Sequence, residues 1–183
     1  MLIRAGFTDE MLELLRSMKG KVLKSYECTS KEPGGYTDGN LRLNLSRFAI
    51  DVSCDLHSLD GEPAGFDEMT WLSCTHADLK SDYRPRVTAE PRQYLVDEVV
   101  TGIEIVRDYA NHDEGAFVFE MDVALIINTK YHMYSFARGI WFADDISIEV
   151  LPKYSAPTRL YPVDELWADD NRAVVVERST IAL

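Results

Sequence analysis

Four acidic residues on two neighbouring predicted strands are candidates for a ligand-binding, metal or acid–base site. The two strands flank a predicted turn at 111–115, and their odd-numbered residues are mostly apolar. If the odd-numbered residues of both strands face the same core, the two strands can pair in two registers. One register places Glu104 opposite Asp122. The other places Asp108 opposite Glu120. Either register brings two carboxylates together, and like charges directly opposite each other destabilise a sheet unless a third group compensates them.

An arginine on the next predicted strand can supply that compensation. A three-residue loop at 129–131 places Arg138 opposite Asp122. Tyr134 and His132 extend along the same face of that strand. A guanidinium binds a carboxylate or a phosphate through two parallel hydrogen bonds. The sequence therefore predicts an acid–acid–arginine ladder across three strands. The candidate ligand-binding residues are Glu104, Asp122, Arg138, Tyr134 and His132.

Three interpretations of this ladder remain open at the level of sequence. In the first, the charges only fix the register of the sheet. In the second, they line a pocket for a small polar or anionic ligand, with Arg138 as the anchor and the aromatic residues as walls. In the third, the Glu104/Asp122 pair is a metal site or the acid and base of a hydrolase or lyase. No nucleophile elbow, phosphate-binding loop or HExxH motif supports the third, so no catalytic residue, metal or cofactor is predicted.

The first element that must position these residues is an N-terminal helix, predicted over residues 8–19. Thr8 has the side chain of an N-cap, and two acidic residues follow it in the first turn. Apolar residues then recur at helical spacing, and Gly20 closes the segment. The apolar stripe predicts packing against a sheet.

After the helix, the apolar residues alternate with a period of two, which is typical of strands. In the second of these strands the apolar phase slips by one residue, which predicts a bulge or a bend near Ser46 and Arg47. The stretch 77–93 has two prolines and no periodicity, so we expect an irregular connection there. The predicted strands are 21–29, 41–56, 68–76, 99–109, 116–129, 132–142, 146–151 and 172–179.

The strands between 99 and 151 are joined by short connections, which makes them antiparallel neighbours in a four-stranded meander. No repeat or linker divides the chain, so 1–183 is predicted to be a single domain. The expected fold is mainly β, in the α+β sense of many strands and one capped helix. We expect an antiparallel β-barrel or a strongly curved sheet of about eight to nine strands.

The balance of charge excludes two classes of partner. The chain has 183 residues, with 31 acidic and 19 basic side chains, which gives a formal net charge of -12. Nucleic-acid phosphates and anionic membrane surfaces both attract clustered basic side chains. We therefore predict no nucleic-acid partner and no membrane partner.

The cysteines and the N-terminus predict a cytoplasmic protein. The first residues turn polar too soon for a signal peptide, and no apolar run has the length of a membrane-spanning helix. The three cysteines are odd in number and far apart, so we expect reduced thiols and not a disulfide framework.

These observations predict a non-enzymatic, cytoplasmic β-barrel protein that binds a small polar or anionic ligand or a protein partner. One alternative is the carboxylate-dependent hydrolase or lyase described above. Another is an acidic interaction module that neutralises a basic protein, because complementary charge accelerates association. A homodimer that forms through an exposed strand edge is also open.

Overall fold

The computed structural model describes residues 2–59, 68–112, 117–139, 143–161 and 175–183. Several sequence predictions lie wholly or partly outside these residues. The stretch 60–65, with two glycines and a proline, predicts a turn and residues 163–167 predict a single helical turn, and both lie wholly outside. Most of the turn at 111–115 and the end of the strand at 132–142 lie outside as well.

One helix, α1 (Asp9–Arg16), follows the N-terminal strand. The Thr8 side chain caps it by accepting a hydrogen bond from the backbone N–H of Met11 at 3.4 Å. Leu15 is completely buried against the sheet, as the apolar stripe predicts. The helix ends three residues before the predicted boundary, and Gly20 then turns the chain with a φ of +78°, which favours glycine. No helix among the described residues is long and apolar enough to cross a membrane.

Eleven strands in the described part of the chain form one sheet. They are β1 (Leu2–Ala5), β2 (Val22–Cys28), β3 (Gly35–Asp38), β4 (Asn40–Leu45), β5 (Ala49–Ser58), β6 (Glu68–Ala77), β7 (Arg92–His112), β8 (Phe117–Thr129), β9 (His132–Arg138), β10 (Asp145–Pro152) and β11 (Val175–Ala182). Their order is β3-β10-β9-β8-β7-β2-β4-β5-β6, while β11 pairs with β7 and β1 pairs with β8. All ladders are antiparallel except β1 with β8.

The mainly β, antiparallel prediction with one helix is confirmed, and so is the meander, which is β7 to β10. The strand count is higher than expected, and the described strands do not close into a barrel. β7 begins at Arg92, seven residues before the prediction, because its first part pairs with β2 and only its second part belongs to the meander. The predicted bulge or bend near Ser46 and Arg47 is a sharp turn, that of the hairpin between β4 and β5, which the Leu45 N–H closes by donating to the Phe48 carbonyl.

The sheet curves around a main core, which receives buried residues from the helix and from eight strands, β2 and β4 to β10. Its fully buried members include Leu15, Leu23, Leu43, Ile50, Leu72, Leu125 and Phe136. A second core lies on the other side of β7, β8 and β9. Its buried members include Val106, Phe119, Met121, Ala124, Ile126 and Met133.

A bulge in the β7–β8 ladder explains why β8 contributes to both cores. Val106 faces Ala124 and Arg107 faces Asp122, so Val123 is an extra residue without a partner across the ladder. One extra residue reverses the face on which all later side chains of a strand lie. The odd-numbered residues of β8 therefore divide between the two cores, and the prediction that they form one uniform core face is wrong.

Arginine–carboxylate pairs join strands at directly opposite positions of four ladders. They are Arg4–Glu120 (β1–β8), Arg42–Asp51 (β4–β5), Arg107–Asp122 (β7–β8) and Arg178–Asp108 (β11–β7). The last three are bidentate, with both carboxylate oxygens bound by one guanidinium. We call these three pairs the Arg–Asp forks. Fork geometry combines directional hydrogen bonds with charge attraction, so each fork specifies one register of its ladder.

We predict that Arg178→Gln lowers the free energy of unfolding by about 3–5 kcal/mol, because it removes the guanidinium that binds both oxygens of the buried Asp108 carboxylate. Asp108 has no exposed surface, and Arg178 binds its two oxygens at 2.6 and 2.7 Å. Denaturant unfolding measures the change.

The matched control is Arg16→Gln, because Arg16 pairs with Glu13 on the exposed surface of α1. A pair of this kind contributes about 0.3–0.5 kcal/mol. Equal losses in the two variants would contradict a structural role for the fork.

Candidate functional site

The predicted pairs of facing carboxylates do not form. Glu104 lies opposite Ile126, and Asp108 lies opposite Met121, so both predicted registers are wrong. The physical reason is that the acids take separate partners: Asp108 binds Arg178, and Glu104 accepts a hydrogen bond from Asn128. No two carboxylates then need to share one position.

Asp122 is buried beside the start of α1 and has three hydrogen bonds. Arg107 binds its two oxygens at 2.7 and 3.1 Å, and the backbone N–H of Phe7 donates to Oδ2 at 2.9 Å. The bonds to Asp122 also raise the pKa of the Arg107 guanidinium above its usual value. A Cβ atom at Gly6 would clash with Oδ2 of Asp122 and lie 2.6 Å from its Cβ and Cγ, so only glycine permits this approach. Asp122 is therefore a fully engaged structural carboxylate.

Arg138 does not face Asp122, and that expectation is wrong. The β8–β9 ladder ends at Ala124 with Ala137, while Arg138 faces Ile146 of β10. Its side chain is 2% exposed and its guanidinium contacts the sulfur of Met121. Burial lowers the pKa of Arg138 to about 10. Arg138 is absent from the lining of the two cavities described below, so its role as a ligand anchor stays a prediction.

Tyr134 and His132 lie apart from Glu104 and Asp122. Tyr134 is buried in the main core, where its ring meets Tyr26 edge-on at 6.2 Å, and burial raises its pKa to about 12. His132 pairs with Glu98 near the turn between β8 and β9. Sequence reasoning missed Glu98 because the predicted strand began at residue 99.

Glu98 is the centre of a compact hydrogen-bond cluster. Its carboxylate accepts bonds from the Thr129 hydroxyl at 2.6 Å, the Tyr131 backbone N–H at 3.1 Å and His132 Nδ1 at 2.5 Å. Burial raises the pKa of Glu98, but these bonds to the charged form outweigh burial and hold it below the usual value. The cluster ties the β8–β9 turn to β7.

Two cavities lie on opposite sides of the β7–β8 pair. The helix cavity, of about 450 Å³, is lined by Arg4, Thr8, Leu12, Arg107, Glu120 and Asp122. The strap cavity, of about 510 Å³, lies between the second core and residues 153–161, which we call the strap. Its lining includes Glu104, Val106, Ile126, Asn128, Met133 and Lys153. Glu104 and Asp122 therefore line different cavities.

The strap is fixed to the sheet by its second half. The buried Glu149 carboxylate accepts bonds from the Thr158 N–H and hydroxyl and from the Arg159 N–H, at 2.5 to 3.2 Å. Arg178 donates to the carbonyl of Tyr161 at 2.9 Å. These anchors keep the first half of the strap over the cavity.

Glu104 is the one acid that lines the strap cavity among the described residues. Asn128 Nδ2 donates to its Oε1 at 2.7 Å. Within the described part of the chain, no cation pairs with Glu104 and no donor reaches its Oε2. Arg178 also lines the cavity, but its guanidinium is already bound to both oxygens of Asp108. Glu104 thus has hydrogen-bonding capacity for a further group.

We predict that Gly6→Ala destabilises the protein by about 1–3 kcal/mol, because overpacking displaces Asp122 from the Arg107 fork. Thermal and denaturant unfolding measure the loss. Gly34→Ala is the control, since a Cβ atom there meets only a carbonyl oxygen at 3.6 Å. A loss of similar size in both variants would argue against this close approach as the cause.

We predict that Glu98→Gln costs about 1–3 kcal/mol at neutral pH, because the amide cannot accept all three bonds. The pKa of Glu98 is lower in the folded state than its unfolded value of about 4.3, so its stabilisation is complete above that pH. The stabilisation is lost as the pH falls through the folded pKa. Unfolding free energies of both proteins between pH 7 and 3 should converge, and a constant difference would contradict the assignment.

Comparison with known proteins assigns no family to this arrangement. No protein-family model, curated protein or solved structure matches the chain. Any function for the two cavities must therefore be argued from their lining residues.

Proposed function

We propose that this protein is a non-enzymatic binding protein for a small polar molecule, held in the strap cavity. The observation that carries the proposal is a cavity of about 510 Å³ in which one carboxylate pairs with no cation of the described residues. Small-molecule sites are concave, largely apolar and contain a few polar groups that fix orientation. The strap cavity has this composition, because Val106, Ile126 and Met133 bring the second core to its surface.

Glu104 and Asn128 are the proposed polar contacts. The Asn128 amide holds Oε1 of Glu104 in place, which orients the carboxylate before a ligand arrives. A ligand group that donates hydrogen bonds, such as an amine, fits Oε2. Glu104 replaces Arg138 as the anchor in this proposal, because Glu104 lines the cavity.

The absence of catalysis is part of the proposal. The hydrolase or lyase alternative required Glu104 and Asp122 to act on one substrate. Those two carboxylates line different cavities, and Arg107 engages both oxygens of Asp122. A general acid or base must reach the reacting proton within hydrogen-bond distance, which this separation prevents for the pair.

We also propose a cytoplasmic location. Cys28, Cys54 and Cys74 are free and buried, which suits a reducing compartment. Burial raises the pKa of Cys54 to about 11, so this thiol is protonated and unreactive at neutral pH.

We predict that a nuclear magnetic resonance screen with a library of small polar molecules gives binders that shift the amide signals of Gly102, Glu104 and Asn128. Glu104→Gln should weaken such binders by about tenfold or more, because a charged hydrogen bond is lost.

Glu120→Gln is the matched control, because Glu120 is also an acid on the β7–β8 pair but lines the helix cavity. A screen without binders at the strap cavity, or equal losses of affinity in both variants, would overturn the proposed function.

A further inference from the structure

Two opposite charges line the strap cavity without pairing with each other. Glu104 projects from β7, and Lys153 begins the strap on the other side of the cavity. No ion pair joins them, and neither pairs with another charged residue in the described ranges. The Lys153 ammonium instead lies 5.2 Å from the ring centroid of Tyr154, which also lines the cavity.

The other charged group at this cavity is already neutralised. Arg178 binds Asp108 through two bonds and the Tyr161 carbonyl through a third. Displacing Arg178 would expose a buried carboxylate, which is costly. One carboxylate and one ammonium are therefore the charges at this cavity that a ligand can engage.

The space between these charges has apolar walls. Val106 and Ile126 lie on the sheet side, and Leu160 closes the strap side. A ligand that meets all three features carries an ammonium for Glu104, an anion for Lys153 and an apolar body. A ligand with one charge leaves the other protein charge at the cavity without a counter-charge.

We propose that the ligand of the strap cavity is a small zwitterion with an apolar side chain, the chemical class of the hydrophobic α-amino acids. This inference rests on the proposed function and specifies its ligand class. The ammonium binds Glu104 Oε2, the carboxylate binds Lys153, and the side chain packs on the second core. A cavity of about 510 Å³ accommodates a molecule of this size.

The test measures the binding of L-leucine, L-methionine and L-phenylalanine to the full chain. Calorimetry gives the affinity, and amide chemical shifts give the site. The tightest probe is then compared with its N-acetyl derivative, which lacks the ammonium, and its amide, which lacks the carboxylate. We expect each derivative to bind about tenfold or more weakly than the free amino acid.

Two variants assign the charges to the residues. The Glu104→Gln variant should bind the free amino acid and the N-acetyl derivative equally well. It should still bind the free amino acid more tightly than the amide. The Lys153→Met variant should bind the free amino acid and the amide equally well, and should still bind the free amino acid more tightly than the N-acetyl derivative. Lys130→Met is the control, because the Lys130 ammonium also lies over a tyrosine ring, 4.6 Å from the centroid, outside the cavity.

The inference is overturned if no amino acid binds, or if the free amino acid and its derivatives bind equally. If other molecules from the polar library occupy the strap cavity while the amino acids do not, only the zwitterion is excluded and the proposed function stands. If nothing occupies the cavity, both fail.

Discussion

The register of the sheet depends on arginines that bind the carboxylates directly opposite them. Each Arg–Asp fork joins a different pair of strands, so β4 to β5, β7 to β8 and β11 to β7 are each held by one. Sliding a strand by one residue moves its side chains to the other face of the sheet. A slip at any fork would therefore separate a guanidinium from its carboxylate and bury one of them alone, at a cost of several kcal/mol. The forks thus exclude the nearby registers that hydrophobic packing alone would permit.

The Arg107–Asp122 fork and the bulge at Val123 depend on each other. Without the extra residue, the apolar odd-numbered side chains of β8 would continue along one face. With it, Leu125 faces the main core while Met121 faces the second core. The same reversal turns Asp122 toward the helix cavity and leaves Glu104 on the side of the strap cavity. One bulge therefore determines that the β7–β8 pair has a cavity on each side.

Features with a local signal in the sequence were predictable. The N-cap at Thr8 and the short connections of the meander depend on neighbouring residues, and both appear in the structure. The short strand β1 was missed because it pairs in parallel with residues more than 100 positions away, and four residues carry no periodicity of their own. A hairpin between β4 and β5 and a bulge within one strand both shift the apolar phase, so periodicity did not distinguish them.

The candidate site was less predictable. Its residues were placed by assuming that odd-numbered residues share one face of the sheet, so one error in register changes the predicted face of all later residues. Glu104 was found, since a carboxylate among apolar strand residues is visible in sequence. The separation of Glu104 from Asp122 could not be predicted, because no residue such as a glycine indicates the bulge at Val123 in the sequence. Arg107, the residue that faces Asp122, lies on the odd-numbered face that the pattern assigned to the core.

Glu104 differs from the buried carboxylates of the sheet in the number of hydrogen bonds that it accepts. Asp108 and Asp122 are buried and receive arginine forks, and Glu149 receives backbone N–H groups. Each of these solutions satisfies both oxygens of the carboxylate. Glu104 receives one amide bond on one oxygen, although it lies on the same strand as Asp108. Glu104 is half-buried and lines a cavity that also has an apolar wall and a lysine on its other side. No donor among the described residues reaches its Oε2, so this oxygen is open to a bound group, and that is the physical argument for a ligand there.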